Sequence, residues 1–250
     1  ESFTISVPVN PEPVGADATT AGICSDSPFS FDAQGYITNG VAATFDWSVT
    51  YDGNTTVGSG ALAGTFNNIT GGTLNAVFTV TPRSGSLCVG SDFVITVPIL
   101  SEPVGADEVI AAICSDDVLA YDLQDNVDAN NSVPSTFSWI AADNADVTGE
   151  SLSAVTTSTI TDILVNLSGT QQTVQYTVTP TGVNGCAGST FTVDVPVNSS
   201  PLGSSGTDAA VCSDETLSID PVDYLSNATP MVGVTFTWTR SLPTGLSVVT

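Results

Sequence analysis

The sequence predicts an all-β protein, a linear array of tandem immunoglobulin-like β-sandwich repeats. Three observations predict it. Short motifs recur after 90 and 98 residues. Apolar and polar residues alternate with a period of two. Val, Thr and Ser dominate and Lys is absent, so strand formers prevail and helical stretches are missing.

The recurrence sets the organisation. Pro13-Val14-Gly15-Ala16-Asp17 returns as Pro103-Val104-Gly105-Ala106-Asp107. Ile23-Cys24-Ser25-Asp26 returns as Ile113-Cys114-Ser115-Asp116 and as Val211-Cys212-Ser213-Asp214. Trp47, Trp139 and Trp238 each follow a Phe two places earlier (Phe45, Phe137, Phe236). Phe78 to Pro82 matches Tyr176 to Pro180, and Phe93 to Pro98 matches both Phe191 to Pro196 and Phe3 to Pro8. Residues 1–10 therefore read as the last strand of a preceding repeat, 11–100 and 101–198 as two complete repeats, and 199–250 as the first half of another. On this register the parent chain holds at least four repeats.

Within a repeat the strands come in order. After Cys24 come Phe29 and Phe31 on one face, with Ser30 and Asp32 on the other. The same slots hold Leu119 and Tyr121, then Leu217 and Ile219. Phe45, Trp47 and Val49 share a face, which assigns the Trp residues to the core instead of a sugar-binding platform. Phe78 and Val80, then Phe93, Ile95 and Val97, complete the inward set. Asp52-Gly53-Asn54 and Gly71-Gly72 are turn signals. About seven short strands per repeat fit one sandwich.

Charge excludes several partners. Arg83 and Arg240 are the only basic residues against 20 Asp and 6 Glu, a net charge of -24. Phosphate backbones and anionic lipid are both repelled, so neither nucleic acid nor direct membrane insertion is expected. No apolar run approaches the roughly 20 residues of a membrane-spanning helix.

Cysteines divide two to a repeat: Cys24 with Cys88, and Cys114 with Cys186, leaving Cys212 to pair outside these 250 residues. The even count predicts one disulfide within each repeat and an oxidising, extracellular setting. Cys88 and Cys186 fall between the last two strands, so the bond is expected near an end of the sandwich.

Catalytic residues are not expected. There is no His, so no Ser-His-Asp or Cys-His nucleophile can be assembled. Asp26 and Asp32 recur as Asp116 and Asp122, then as Asp214 and Asp220. They are the candidate metal ligands, with calcium as the one cofactor considered, yet no Asp-x-Asp-x-Asp-Gly loop accompanies them. Turn capping by the first and a solvated strand face for the second is the favoured reading. Asp122, Asp125 and Asp128 read as a solvated loop. Sequons stand at Asn54, Asn68, Asn166 and Asn227, with Asn68 and Asn166 in equivalent slots.

The Cys-Ser-Asp entry, the Phe-x-Trp strand and the Phe/Tyr-Thr-Val-Thr-Pro strand resemble the PKD-like repeats of giant Bacteroidetes surface proteins, above all the SprB-like mobile adhesins of gliding bacteria. The likeness covers essentially the whole chain. Ser48-Val49-Thr50-Tyr51-Asp52-Gly53 after Trp47 departs from the Trp-x-Phe-Gly-Asp-Gly of ordinary PKD domains. The resemblance implies a non-enzymatic filament stalk, exported by type IX secretion, held at the cell surface by the outer-membrane secretion and motility machinery, and gripping a substratum or surface polysaccharide through other parts of the chain. The alternative is a carbohydrate- or ligand-binding module, or a spacer, of a secreted enzyme or static surface protein. That module would carry exposed aromatic residues.

Overall fold

A computed structural model describes residues 2–212, 215–226 and 234–241. In the first repeat the strands are β1 (Ala18–Thr19), β2 (Ile23–Cys24), β3 (Phe29–Phe31), β4 (Ala43–Tyr51), β5 (Asn54–Ser59), β6 (Leu62–Gly64), β7 (Leu74–Ser84) and β8 (Phe93–Leu100). The second repeat has β9 (Glu108–Val109), β10 (Ile113–Cys114), β11 (Tyr121–Asp122), the helix α1 (Leu123–Asp128), β12 (Ser135–Ala141), β13 (Val147–Thr148), β14 (Thr159–Ile160), β15 (Val165–Asn166), β16 (Gln172–Gly182) and β17 (Phe191–Asn198).

The main sheet of the first repeat runs β1-β8-β7-β4-β5, with β2 also on β8. Asp52 and Gly53, at φ 46° and 73°, make the left-handed two-residue turn that joins β4 to β5. β3 and β6 pair antiparallel and supply the second layer. The second repeat repeats the plan with β10-β17-β16-β12, β9 also on β17, and two short ladders, β11 with β14 and β13 with β15. In the first repeat the strand count reaches eight because the first strand breaks in two, β1 and β2, each pairing with a different stretch of β8.

Strand direction at the sheet edge fixes where the cysteines lie. β1 and β2 run parallel to β8, with Cys24 beside Leu100. β10 runs parallel to β17, with Cys114 beside Asn198. The opening strand of each repeat thus ends at the same pole as its closing strand.

Alternation places the core as expected. Phe45, Val49, Phe78, Val80, Phe93, Ile95 and Val97 are buried. Each large apolar side chain contributes roughly 1.5–3 kcal/mol by leaving water. Trp47 meets the edge of Phe78 at 5.3 Å, and Trp139 meets Tyr176 at 5.6 Å. Trp139 donates to Thr157, whereas the Trp47 indole N–H is buried without a partner. Trp238, in a stretch flanked on both sides by residues outside the described set, is 74% exposed.

One further expectation is corrected. The Asp122 to Asp128 stretch is not a solvated loop but α1, whose Leu123, Asn126 and Val127 are buried. Residues 2–10 have no partner strand among the described residues, so Phe3, Ile5, Val7 and Val9 are exposed where their counterparts Phe93, Ile95, Val97 and Ile99 are buried. The first motif also acquires a physical meaning. A Cβ on Gly15 or Gly105 would lie 2.1 or 2.2 Å from the ring of Phe93 or Phe191, so only glycine lets that ring close over the backbone.

Candidate functional site

The chemically distinctive place is the junction between the two repeats. Cys24 is bonded to Cys186, 162 residues away, with Cα atoms 5.3 Å apart. The intradomain pairs Cys24 with Cys88 and Cys114 with Cys186 are therefore corrected. The reason is strand direction. Cys24 lies beside Leu100 at the end of β8, whereas Cys88 lies in the turn before Phe93, at its beginning. Eight residues of β8 separate the two poles by roughly 25 Å, and a disulfide bridges Cα atoms at most about 7 Å apart. The turn expected to carry the bond does carry it, but for the neighbouring repeat. Cys88, Cys114 and Cys212 form no disulfide among the described residues.

Hydrogen bonds close the same junction. Glu102 N–H donates to the Asn68 carbonyl at 3.2 Å. Asn131 Nδ2 donates to Glu102 at 2.8 Å and to Ile69 at 3.2 Å, while its Oδ1 accepts from Val104 N–H. Asn184 Nδ2 donates to the Ser101 carbonyl at 2.8 Å, and its Oδ1 accepts from Cys186 N–H. Gly71, at φ 81°, passes so near the Asn131 carbonyl that a Cβ would sit 2.2 Å from it. Asn39 in the first repeat matches Asn131, bonding Glu12 and Val14 in the same way.

The Cys-Ser-Asp motif organises this pole residue by residue. Ser25 Oγ, buried, accepts from Asn68 N–H at 2.8 Å, and Ser115 Oγ accepts from Asn166 N–H at 3.0 Å. Asn68 Nδ2 donates to Gly72 and Ile99, and its Oδ1 accepts from both N–H and hydroxyl of Thr70. Asn166 repeats the pattern with Thr170, Val197 and Ser168. These sequons encode a buried turn lock, not an accessible glycan site. Sequence reasoning saw that they occupy equivalent slots but not that the Thr or Ser closes the turn. Asn54 is exposed on β5, and Asn227 lies outside the described residues.

The candidate metal ligands are held apart by their own tasks. Asp26 and Asp116 take left-handed backbone, φ 57° and 71°, and their N–H groups donate to Phe66 and Leu164. Asp26 Oδ2 accepts from Asn67 Nδ2. Asp32, Asp122 and Asp220 do not merely solvate a strand face; each caps a short helical turn by accepting from the N–H of Gln34, Gln124 or Val222. Asp214 lies outside the described residues. Among the described residues no group of three or more His, Cys, Asp or Glu side chains converges as a metal site would need. Glu102 faces Asp26 across the junction. Partial burial, then the Asp26 charge, push its carboxyl above the usual range, opposed by a hydrogen bond from Ser25. The corresponding residue at the next junction is Ser200, so this carboxylate pair is not a property of the repeat.

A shallow cleft on the second repeat is bounded by Glu108, Tyr121, Asp125 and Asn126. Its polar groups satisfy one another: Tyr121 donates to Glu108 at 2.6 Å, and Asn126 Nδ2 reaches the same carboxylate at 3.0 Å. Burial, then that carboxylate, push the Tyr121 phenol up to about 12. All aromatic side chains between residues 11 and 198 are buried or half-buried.

A family model described as PKD-like domain matches residues 21–103 and again residues 111–201. No curated protein matches the chain. Among solved structures it is similar to the FN1–FN3 domains of chicken CNTN1, at 12% identity and TM-score 0.30, covering 76% of this chain and 65% of that one. It is also similar to the fibronectin(III)-like modules of Clostridium thermocellum CbhA, at 7% identity and TM-score 0.23, covering 80% of this chain and 97% of that one.

Proposed function

We propose, for a chain that belongs to the PKD-like domain family, that its repeats are the shaft of a large secreted cell-surface adhesin, the mobile adhesin of gliding motility. One observation carries this reading. Successive sandwiches are joined by a covalent bond as well as the main chain, which suits a part that transmits force along its length. Disulfide chemistry belongs to an oxidising compartment, in keeping with secretion. No helix among the described residues is long and apolar enough to cross a membrane. The net charge of -24 keeps neighbouring shafts soluble and mutually repelled. Contact with the substratum and with the outer-membrane secretion and motility machinery falls to other parts of the molecule, and the repeats themselves perform no catalytic step. Calcium has no role in this reading.

The ligand-binding alternative needs an aromatic face open to solvent, and the buried aromatics of both repeats speak against it. Antibody against one repeat, bound to live source cells and tracked, tests the proposal. Label travelling along the cell surface supports a mobile adhesin. Label that stays fixed, or is found only in the medium, rejects gliding and favours a static spacer.

A further inference from the structure

We infer that Cys88 and Cys114 are each one half of a further inter-repeat disulfide. Cys114 bonds the turn cysteine of the next repeat, and Cys88 bonds the Cys-Ser-Asp cysteine of the repeat before. The partner in each case is another PKD-like repeat of the same chain. These bonds are independent of any role in gliding.

The two cysteines are equivalent to the bonded pair. Cys114 occupies the position of Cys24 in the repeat register and pairs with Asn198 as Cys24 pairs with Leu100. Cys88 occupies the position of Cys186, and the bridges Arg83 to Val89 and Thr181 to Ala187 show the two turns alike. Cys24 and Cys186 are bonded to each other. Cys114 is exposed at the far pole of the second repeat, and Cys88 lies at the near pole of the first.

A second, independent observation points to what Cys88 meets. Its Sγ lies 3.7 Å from the carbonyl of Asn10. Asn10 is the counterpart of Leu100, the residue beside which Cys24 is held for its bond to Cys186. The chain before Asn10 carries the exposed apolar stripe Phe3, Ile5, Val7 and Val9, which matches the buried stripe of β8. Both features fit a preceding sandwich whose closing strand is this segment and whose Cys-Ser-Asp cysteine stands against Cys88. Asn39 then gains the preceding-repeat acceptor that Asn131 finds in Ile69.

Each bond forms as two thiols lose two protons and two electrons to a disulfide of a thiol oxidoreductase, which departs as a dithiol. Overlap of the bonds has a mechanical result. Every bond spans nearly two repeats, so bonds starting in alternate repeats form two interlaced load paths. One path runs from Cys186 along the main chain to Cys212, the other from Cys88 to Cys114, and each is only 26 residues. Fully extended, 26 residues reach roughly 90 Å. Two folded repeats span roughly 80 Å if each contributes strands of about seven residues plus end loops. The array therefore barely lengthens under load, even when a sandwich fails. Without the bonds the 188 residues from Cys24 to Cys212 would all be released, about sevenfold more.

The test is disulfide mapping of the natural-length protein, isolated without reductant, alkylated, digested and analysed by mass spectrometry. The expected result is the Cys114 peptide joined to a turn-cysteine peptide of the next repeat, and the Cys88 peptide joined to a Cys-Ser-Asp peptide from outside residues 1–250. Recovery of either as an alkylated thiol, a Cys88–Cys114 bond, a Cys114–Cys212 bond, or a covalent dimer on a non-reducing gel overturns it. Pulling the same protein by single-molecule force gives the second readout: reduction should raise the length released per two repeats from roughly 10 Å to several hundred ångströms, and equal lengths with and without reductant would overturn the load paths.

Discussion

Cys24 of the first repeat and Cys186 of the second close one disulfide across the junction, although each has a same-repeat cysteine far nearer in sequence. The bond ties the end of one opening strand to the turn between the last two strands of the next sandwich. Its energetic reach covers both. If one repeat unfolds while the other holds, the bond still closes a loop of roughly 80 residues, which costs the unfolded chain about 4 kcal/mol of entropy in the chain-entropy model.

Cys24→Ser should therefore destabilise the second repeat as well as the first, by roughly 4 kcal/mol each. Hydrogen exchange of β16 and β17 checks this, because those strands lie entirely outside the substituted repeat. Unchanged protection there, with loss confined to the first repeat, would restore the intradomain pairing.

Asn68→Ala should cost about 2–4 kcal/mol, since it removes four side-chain hydrogen bonds and takes the donor away from the buried Ile99 carbonyl. Asn166→Ala should cost the same in the second repeat. Urea unfolding of each variant measures the loss, and a change below about 1 kcal/mol would refute the turn lock.

Gly90→Ala should cost roughly 2–3 kcal/mol, because its Cβ would lie 2.0 Å from the Pro13 carbonyl and backbone must move. Gly35→Ala, with nothing within 4 Å of its Cβ, is the matched control and should be nearly neutral. Equal midpoints for the two variants would contradict the close approach.

The second repeat should lose stability in alkali before the first. Tyr176 donates to Asp162 at 2.9 Å, and burial followed by that carboxylate raises its pKa above the ordinary phenol. A raised pKa favours the protonated form in the folded state, so the contribution is complete below about pH 10 and is lost as pH rises beyond it. The first repeat has Phe78 at this position. Denaturant melts at pH 8 and pH 11 should separate the repeats, and Tyr176→Phe should flatten the difference while costing about 1.5–3 kcal/mol at pH 8.

Glu102→Gln should stabilise the junction at pH 7 and do little at pH 3. The raised carboxyl pKa means that protonation is favoured in the folded state, so its contribution is present at low pH and lost as pH rises through the folded value. Solvent screens much of this, which keeps the gain within about 1 kcal/mol. A thermal melt of the variant that is lower at pH 7 would contradict the sign.

The sequence by itself determined the repeat register, the strands and the inward faces. Those are local properties: Phe45, Val49 and Val80 alternate with polar neighbours, and a period of two reads out which side is buried. It also placed Cys88 and Cys186 in the right turn. The α1 turn escaped notice because Leu123 and Val127 present only two apolar contacts among four acidic and amide side chains. The role of Asn68 escaped because a sequon looks the same whether it faces solvent or closes a turn. Only tertiary structure decided which cysteines meet. Parallel pairing of β2 with β8 carries Cys24 to the far pole, away from Cys88 and onto the next repeat, and strand direction in a sheet is a long-range relation that no local spacing encodes.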